Sequence, residues 1–374
     1  MPKRGVIRGF ILSLAIAGLT STAFADIKAF NAAVKAGDYK KAAVEAKDAW
    51  ASWDKADPDT AVVAREFGFA ALVAKDYALA KEFGQFLKDR GGSLVKPDEQ
   101  PATSAVLLRM AEHQLDANGA SRTALLTALN DRAGTAGLDN ITLLAAEALY
   151  RSDWSEAAWA QAIASADLAA NLMARGGASV LAKTLEARLY SGAADFLVNS
   201  APNDYDKLAS VHDDVIDAID ATTDQRLRKT LINLKFQAEA WTDIAAIGLG
   251  SKAQIGSNIP RTPRYRELKK ATTPLFAGQV MVENPDECES KLSGFDMKFA
   301  HKVGSYRSFG VVLVRMSFDE YGRATSWETL ASIPSPLYGD ALKAQVSNIR
   351  RVRSFEDKST CLLASPGRVI TVIF

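Results

Sequence analysis

Alanine falls away at one point in this chain. Residues 26–259 hold 52 alanines in 234 positions, whereas residues 260–374 hold 8 in 115. Alanine has the highest helix propensity and loses no side-chain entropy on ordering, so a stretch this rich in it folds as closely packed helices. Charge changes at the same place: residues 26–259 sum to −7 and residues 260–374 to +5. Between them, Gly256-Ser257-Asn258-Ile259-Pro260-Arg261-Thr262-Pro263 carries the breakers of a linker. We therefore read residues 26–255 as a helical array, 256–304 as a linker and lead-in, and 305–374 as a small domain of another class. The formal net charge of +1 gives no reason to expect a nucleic-acid partner.

Periodicity supports the array. Leu227, Leu231, Leu234, Ala238, Trp241 and Ala245 recur at steps of four and three, which places six apolar groups on one stripe. Leu208, Val211, Val215 and Ile219 do the same. A short pattern also recurs: Gly37-Asp38-Tyr39-Lys40-Lys41-Ala42-Ala43, then Lys75-Asp76-Tyr77-Ala78-Leu79-Ala80-Lys81, then Ser152-Asp153-Trp154-Ser155-Glu156-Ala157-Ala158. Each copy reads as a turn, an aromatic residue and a helix with a small residue three positions on. The first two aromatics are 38 residues apart and the next interval is 77, about two periods, with helices expected over 104–116 and 121–131 between them.

On these residues, with Gly68 and Ala71 as a small pair on the preceding helix, the array resembles the tetratricopeptide repeat family. The resemblance is degenerate, and a helical bundle of accidental similarity is the alternative. It implies stacked helix pairs and a groove that takes a peptide or a partner domain. Tyr39, Tyr77 and Trp154 are then first of all interhelical packing.

The first 25 residues carry Lys3, Arg4 and Arg8, an apolar run from Phe10 to Leu19, and Ala23-Phe24-Ala25. That order describes a secretory signal peptide cleaved before Asp26. The alternative is an uncleaved anchor, because Gly9 to Ala25 is a 17-residue stretch without charge. Cleavage places the protein outside the cytoplasm, where Cys288 and Cys361 are expected to pair rather than react; two buried free thiols are the alternative.

In the last segment, residues 310–318 form a β-branched run with Val312, Val314, Met316 and Phe318 on one face. Asp319-Glu320-Tyr321-Gly322 is an acidic turn, and a polar strand follows from Arg323 to Ala331. Ser335-Pro336 opens a helix in which Leu337, Ala341, Leu342, Val346 and Ile349 share a face, and Arg368 to Phe374 is a last strand. The order is ββαβ.

That order resembles the C-terminal domain of the TonB family, periplasmic energy transducers of Gram-negative bacteria. The residues that carry it are the strand Val311 to Phe318, Asp319 with Gly322-Arg323, Ala341-Leu342, the basic run Arg350-Arg351-Val352-Arg353, and Val369 to Phe374. The resemblance implies that partners, an outer-membrane receptor among them, bind by adding a strand to a sheet edge. The edge it implies is Val369, Ile370, Thr371 and Val372, with Arg350, Arg351 and Arg353 offered to an acidic partner, and the same edge allows a homodimer. The alternatives are plain core for the strand and a solvated helix end for the arginines. Val352 and Ser354 replace an aromatic and a proline usual in the family, and neither a long Pro-rich segment nor the family's anchor pattern is present, since Ser13 is followed at four by Ala17.

Chemistry elsewhere is sparse. His113, His212 and His301 lack a second histidine at ligand spacing, and Asp213, Asp214 and Asp217 read as a solvated face. No catalytic residue, metal site or cofactor is expected. The sequence therefore points to a protein-binding scaffold of the cell envelope. Its alternative is a membrane-anchored transducer for receptor-mediated uptake, and an envelope enzyme with a site in the array groove is a third class.

Overall fold

Helix pairs joined by tight turns make up the first half of the chain. The computed structural model describes residues 23–90, 101–135, 137–199, 202–254, 273–275, 278–282, 290–294, 311–333, 336–353 and 363–373. The chain is mostly helical, with a small two-sheet β region near the C-terminus. It divides into two compact units, Met1–Ala187 and Arg188–Phe374.

Unit 1 contains α1 (Ala23–Ala36), α2 (Tyr39–Ser52), α3 (Thr60–Ala74), α4 (Tyr77–Arg90), α5 (Pro101–Leu115), α6 (Gly119–Ala133), α7 (Asn140–Ser155) and α8 (Trp159–Ala174). Helices consecutive in sequence pack together, and α3 and α7 each also pack on α5. The expected cleavage point before Asp26 falls within α1, and residues 1–22 lie outside the described residues.

Three of the turns share one geometry. Asp38 N–H donates to Ala33 O (3.0 Å), Asp76 N–H to Ala71 O (2.9 Å) and Ala158 N–H to Asp153 O (2.9 Å). Each turn pivots on a left-handed residue: Gly37 at φ 73°, Lys75 at 65° and Ala157 at 56°. This is the Schellman arrangement, which satisfies carbonyls that a helix end leaves open. An aromatic residue then starts the next helix, Tyr39, Tyr77 or Trp159, and three residues on stands an alanine with no room around it: Ala42 and Ala80 at 0% exposure and Ala162 at 1%.

The third turn therefore lies five residues beyond the one expected from sequence. Ser152-Asp153-Trp154 is the last part of α7, and Trp159 occupies the place assigned to Trp154. Ala157 makes the turn without the Gly or Asp that marks such turns, so local composition pointed to the wrong aspartate. The small pair behaves as its size requires: a Cβ on Gly68 would stand 2.5 Å from a Leu107 methyl, and Ala71 is at 0% exposure. Gly84 on α4 is as tightly placed, since a Cβ there would stand 2.8 Å from Leu108 Cα.

The chain passes between the units within α9 (Leu181–Val198). Unit 2 continues with α10 (Pro202–Ala221) and α11 (Gln225–Gln254), which pack as a pair. The strands follow: β1 (Thr273–Leu275), β2 (Gly278–Val282), β3 (Ser290–Ser293), β4 (Val311–Phe318), β5 (Ala324–Ile333), then helix α12 (Pro336–Lys343), β6 (Arg350–Arg353) and β7 (Ser365–Ile373). The larger sheet is antiparallel in the order β1-β2-β7-β4-β5, and β3 pairs with β6 in a second ladder.

Both faces of β4 are covered. Val312, Val314, Met316 and Phe318 join Tyr338, Leu342, Ile349, Ile370 and Val372 in one apolar core beneath α12. Val311 and Leu313, on the opposite face, are also at 0% exposure, and α11 packs against β4 and β5. The Arg315 guanidinium lies 6.0 Å from the Phe236 ring of α11, which places that helix on this second face. Every side chain from Ala238 to Ala246 is buried, as in a helix covered all round.

Helix α12 is shorter than its apolar pattern suggests. It stops at Lys343, Leu337 is 55% exposed, and Tyr338 with Leu342 supplies the buried face. Val346 lies in a following 3₁₀ turn, so the 3.6-residue period does not extend to it.

Candidate partner-binding edge

The larger sheet has two edges of opposite character. β1 is three residues long and contains Pro274, so this edge is short and lacks one donor. β5 is ten residues long, contains neither Pro nor Lys, and takes its ladder from β4 alone among the described strands. Thr325, Ser326, Glu328 and Thr329 on it are exposed. Register shifts against β4 between Leu313/Val314 and Ser317/Phe318 leave Leu330 and Thr325 as extra residues, and such bulges bend and twist the strand that carries them.

Local chemistry holds β5 in place. The Asp319 carboxylate accepts from Tyr321 N–H (2.9 Å) and Arg323 N–H (2.7 Å), which closes the turn from β4. Gly322 sits at φ 74°, and a Cβ there would stand 2.1 Å from Arg351 O, so only glycine fits. Arg351 N–H in turn donates to Gly322 O (2.7 Å), fastening β6 to the turn. Across the strands Arg315 pairs with Glu328 (2.6 Å), and within β5 Trp327 Nε1 donates to Thr329 Oγ1 (2.9 Å).

The residues chosen from sequence are not assembled into one open edge. Val369, Ile370, Thr371 and Val372 lie on β7, which is an interior strand. Thr371 pairs with Leu313 on one side and Met281 on the other, and Val372 with Val312 and Val280. Ile370, Thr371 and Val372 are at 0% exposure. The lead-in strand β2 pairs with β7 from Ile370 to Ile373, so an incoming strand cannot add at Ile370, Thr371 or Val372, while Val369 pairs with Arg315 of β4 alone among the described residues. A homodimer through the same strand meets the same obstacle.

The arginines separate as well. Arg350 donates to Ser347 O (2.7 Å) and Ile349 O (2.9 Å), closing the turn that precedes β6. Arg351 is 3% exposed and donates to Leu363 O (2.9 Å), so it is a structural side chain rather than one offered to a partner. Arg353 ends β6 opposite Ser290, and its side chain lies outside the described residues. Cys288 and Cys361 also lie outside them.

Sequence reading missed a buried polar cluster in unit 1. Asp153, 2% exposed, accepts both arms of Arg122 (2.6 and 2.7 Å) and the Ser165 hydroxyl (2.6 Å). Arg132, 1% exposed, pairs with Asp139 (3.0 Å), which also caps α7 through Thr142 N–H (2.8 Å). Buried charges hold only when paired and hydrogen-bonded, and these satisfy that condition between the consecutive helices α6 and α7, with partners 31 and 7 residues apart in sequence. No local spacing marks such pairs.

His113 is buried at 4% exposure, and its Nδ1 lies 3.1 Å from the Ser121 hydroxyl. Ser121 is half of a capping box with Asn118 at the start of α6, so His113 clasps a turn built differently from the three that share one geometry. Burial holds its pKa below the ordinary value, against the pull of Asp153 and Glu156. His212 Nδ1 lies 3.5 Å from Asp213, and His301 is outside the described residues.

Among the described residues, no group of three or more His, Cys, Asp and Glu could hold a metal ion. No described helix is long and apolar enough to cross a membrane. The polar clusters are thus braces between helices, and among the described residues the feature with open bonding capacity is the outer side of β5 beyond Ala324, whose N–H donates to Ile349 O (3.4 Å). No protein family, curated protein or solved structure matches the chain.

Proposed function

We propose that this protein is a binding scaffold of the Gram-negative periplasm, in which a tetratricopeptide-like helical array presents a TonB-like ββαβ module to a protein partner. The observation that carries the binding role is the ten-residue edge strand β5, which pairs on one side only among the described strands, in a sheet whose neighbouring strand is covered on both faces. An incoming strand would satisfy its outward N–H and C=O groups, and side chains near Thr325, Ser326 and Glu328 would set the choice of partner. The protein acts by binding, without a cofactor, and an outer-membrane receptor is one partner the TonB-like reading admits.

A photo-cross-linking residue at Ser326 tests this. It captures a partner from periplasmic extract, and the double substitution T325K/E328K, which charges the edge, abolishes capture while leaving the circular dichroism spectrum unchanged. Equal capture with and without those charges overturns the edge as the site. N-terminal sequencing of the exported protein tests the location: a start at Asp26 supports it, and a start at Met1 favours the anchored transducer.

A further inference from the structure

The helical unit carries a second surface, independent of the sheet. Glu66 and Phe69 stand three residues apart on α3 and so share one face of it. The Phe69 ring meets the Tyr39 ring of α2 edge to face, with centroids 6.0 Å apart and planes at 86°. All three residues are half-buried, so each keeps part of its surface open. Among the described residues, Glu66 makes no hydrogen bond or ion pair, and neither does the Tyr39 hydroxyl. Arg65, the nearest cation in sequence, acts on Glu66 only through space.

A carboxylate in this position lacks what other acids of the unit have. Asp153 holds Arg122, Asp139 holds Arg132, and Glu147 holds Arg151 and Lys183. Burial drives the Glu66 carboxyl above its ordinary range, Arg65 pulls it back, and the charge of Asp139 pushes it further up. Burial and Glu66 together raise the Tyr39 phenol. An unpaired carboxylate beside two aromatic rings has one complementary occupant, a cation that meets the acid at its head and a ring face along its stem.

We propose that Tyr39, Glu66 and Phe69 form a binding site for a lysine or arginine side chain of a peptide partner. Glu66 supplies the charge, a ring face supplies the cation–π contact, and the Tyr39 hydroxyl oxygen accepts a hydrogen bond from the ammonium or guanidinium. Because Glu66 must ionise to bind, affinity rises with pH through its titration.

Titrating the full chain with Nα-acetyl-lysine amide, observed by ¹H NMR of the aromatic side chains, tests the site. Nα-acetyl-norleucine amide is the neutral control. The lysine probe is expected to shift the Tyr39 ring resonances, and the norleucine probe is not. Glu66→Gln weakens lysine binding by about tenfold and removes its pH dependence, and Phe69→Leu weakens it several-fold. Glu66→Gln removes no hydrogen bond or ion pair among the described residues, so it keeps the fold and its result stands even where Phe69→Leu disturbs packing. Undetectable binding at millimolar probe, equal binding of the two probes, or unchanged binding by Glu66→Gln overturns the proposal. None of these outcomes bears on β5.

Discussion

The helical unit and the sheet differ at their closest contacts, although large side chains such as Phe67, Phe83 and Leu107 also fill the core of unit 1. Unit 1 closes by bringing backbones together over small residues: Ala42, Ala80 and Ala162 are fully enclosed, and Gly84 faces the backbone of Leu108. The sheet of unit 2 closes by filling space between layers with Val312, Val314, Ile370, Val372 and Leu342. The first kind of interior has no room for an added methyl, and the second is most sensitive to losing one. The same free-energy scale therefore penalises growth in one region and truncation in the other.

The largest effect is expected from truncating the sheet core. Ile370→Ala, at the centre of β7, should cost about 3–4 kcal/mol, read as faster hydrogen exchange in β4 and β7 and a lower urea midpoint. A loss below about 1 kcal/mol would mean that the layers collapse onto the space, which would break the contrast. Gly84→Val comes next, at about 2–3 kcal/mol, because the new side chain meets backbone that cannot rotate away. Gly119→Ala is its control. Nothing lies within 4 Å of a Cβ there, so it should be neutral or slightly stabilising.

Smaller changes sharpen the comparison within unit 1. Ala157→Gly should raise stability by about 1 kcal/mol by relieving the left-handed strain that Gly37 avoids in the equivalent turn. The smallest effect is that of pH on the turn between α5 and α6. The folded pKa of His113 is depressed, so its neutral form belongs to the fold. That contribution is complete above the ordinary value of 6.5 and is lost as pH falls from there toward the depressed folded value. Protection factors, which are exchange rates corrected for the intrinsic effect of pH, should fall at the start of α6 between pH 7 and 5, and His113→Gln should flatten that dependence.

Much of this fold is legible where the signal is local. The apolar run from Val311 to Phe318, the acidic turn with Gly322 and the proline that opens α12 each carry their own instruction, and both strands and the start of α12 lie within a residue or two of their expected places, although the helix ends at Lys343, short of its apolar pattern. Even the two-sided burial of β4 is written there, since Val311 and Leu313 are as apolar as their neighbours, which is the pattern of a strand covered on both faces. What could not be read is non-local. The pairing of β2 with β7 joins segments about 90 residues apart in sequence and leaves no periodicity in either. It decides which strand is an edge, and so it moved the candidate site from β7 to β5. The turn at Ala157 escaped for a different reason, because alanine accepts a strained conformation there that tertiary packing imposes.

Helix α11 changes the meaning of the composition boundary at residue 260. Thirty residues of helix make a rod of about 45 Å, which pairs with α10 and also lies against β4 and β5. The attachment of the sheet to these helices is therefore non-covalent as well as covalent. A protease site placed between residues 256 and 263 should cut the chain in two and leave the pieces travelling as one particle, parting only in denaturant. The linker composition marks where the peptide is dispensable, and the buried flank of α11 marks where the molecule is joined.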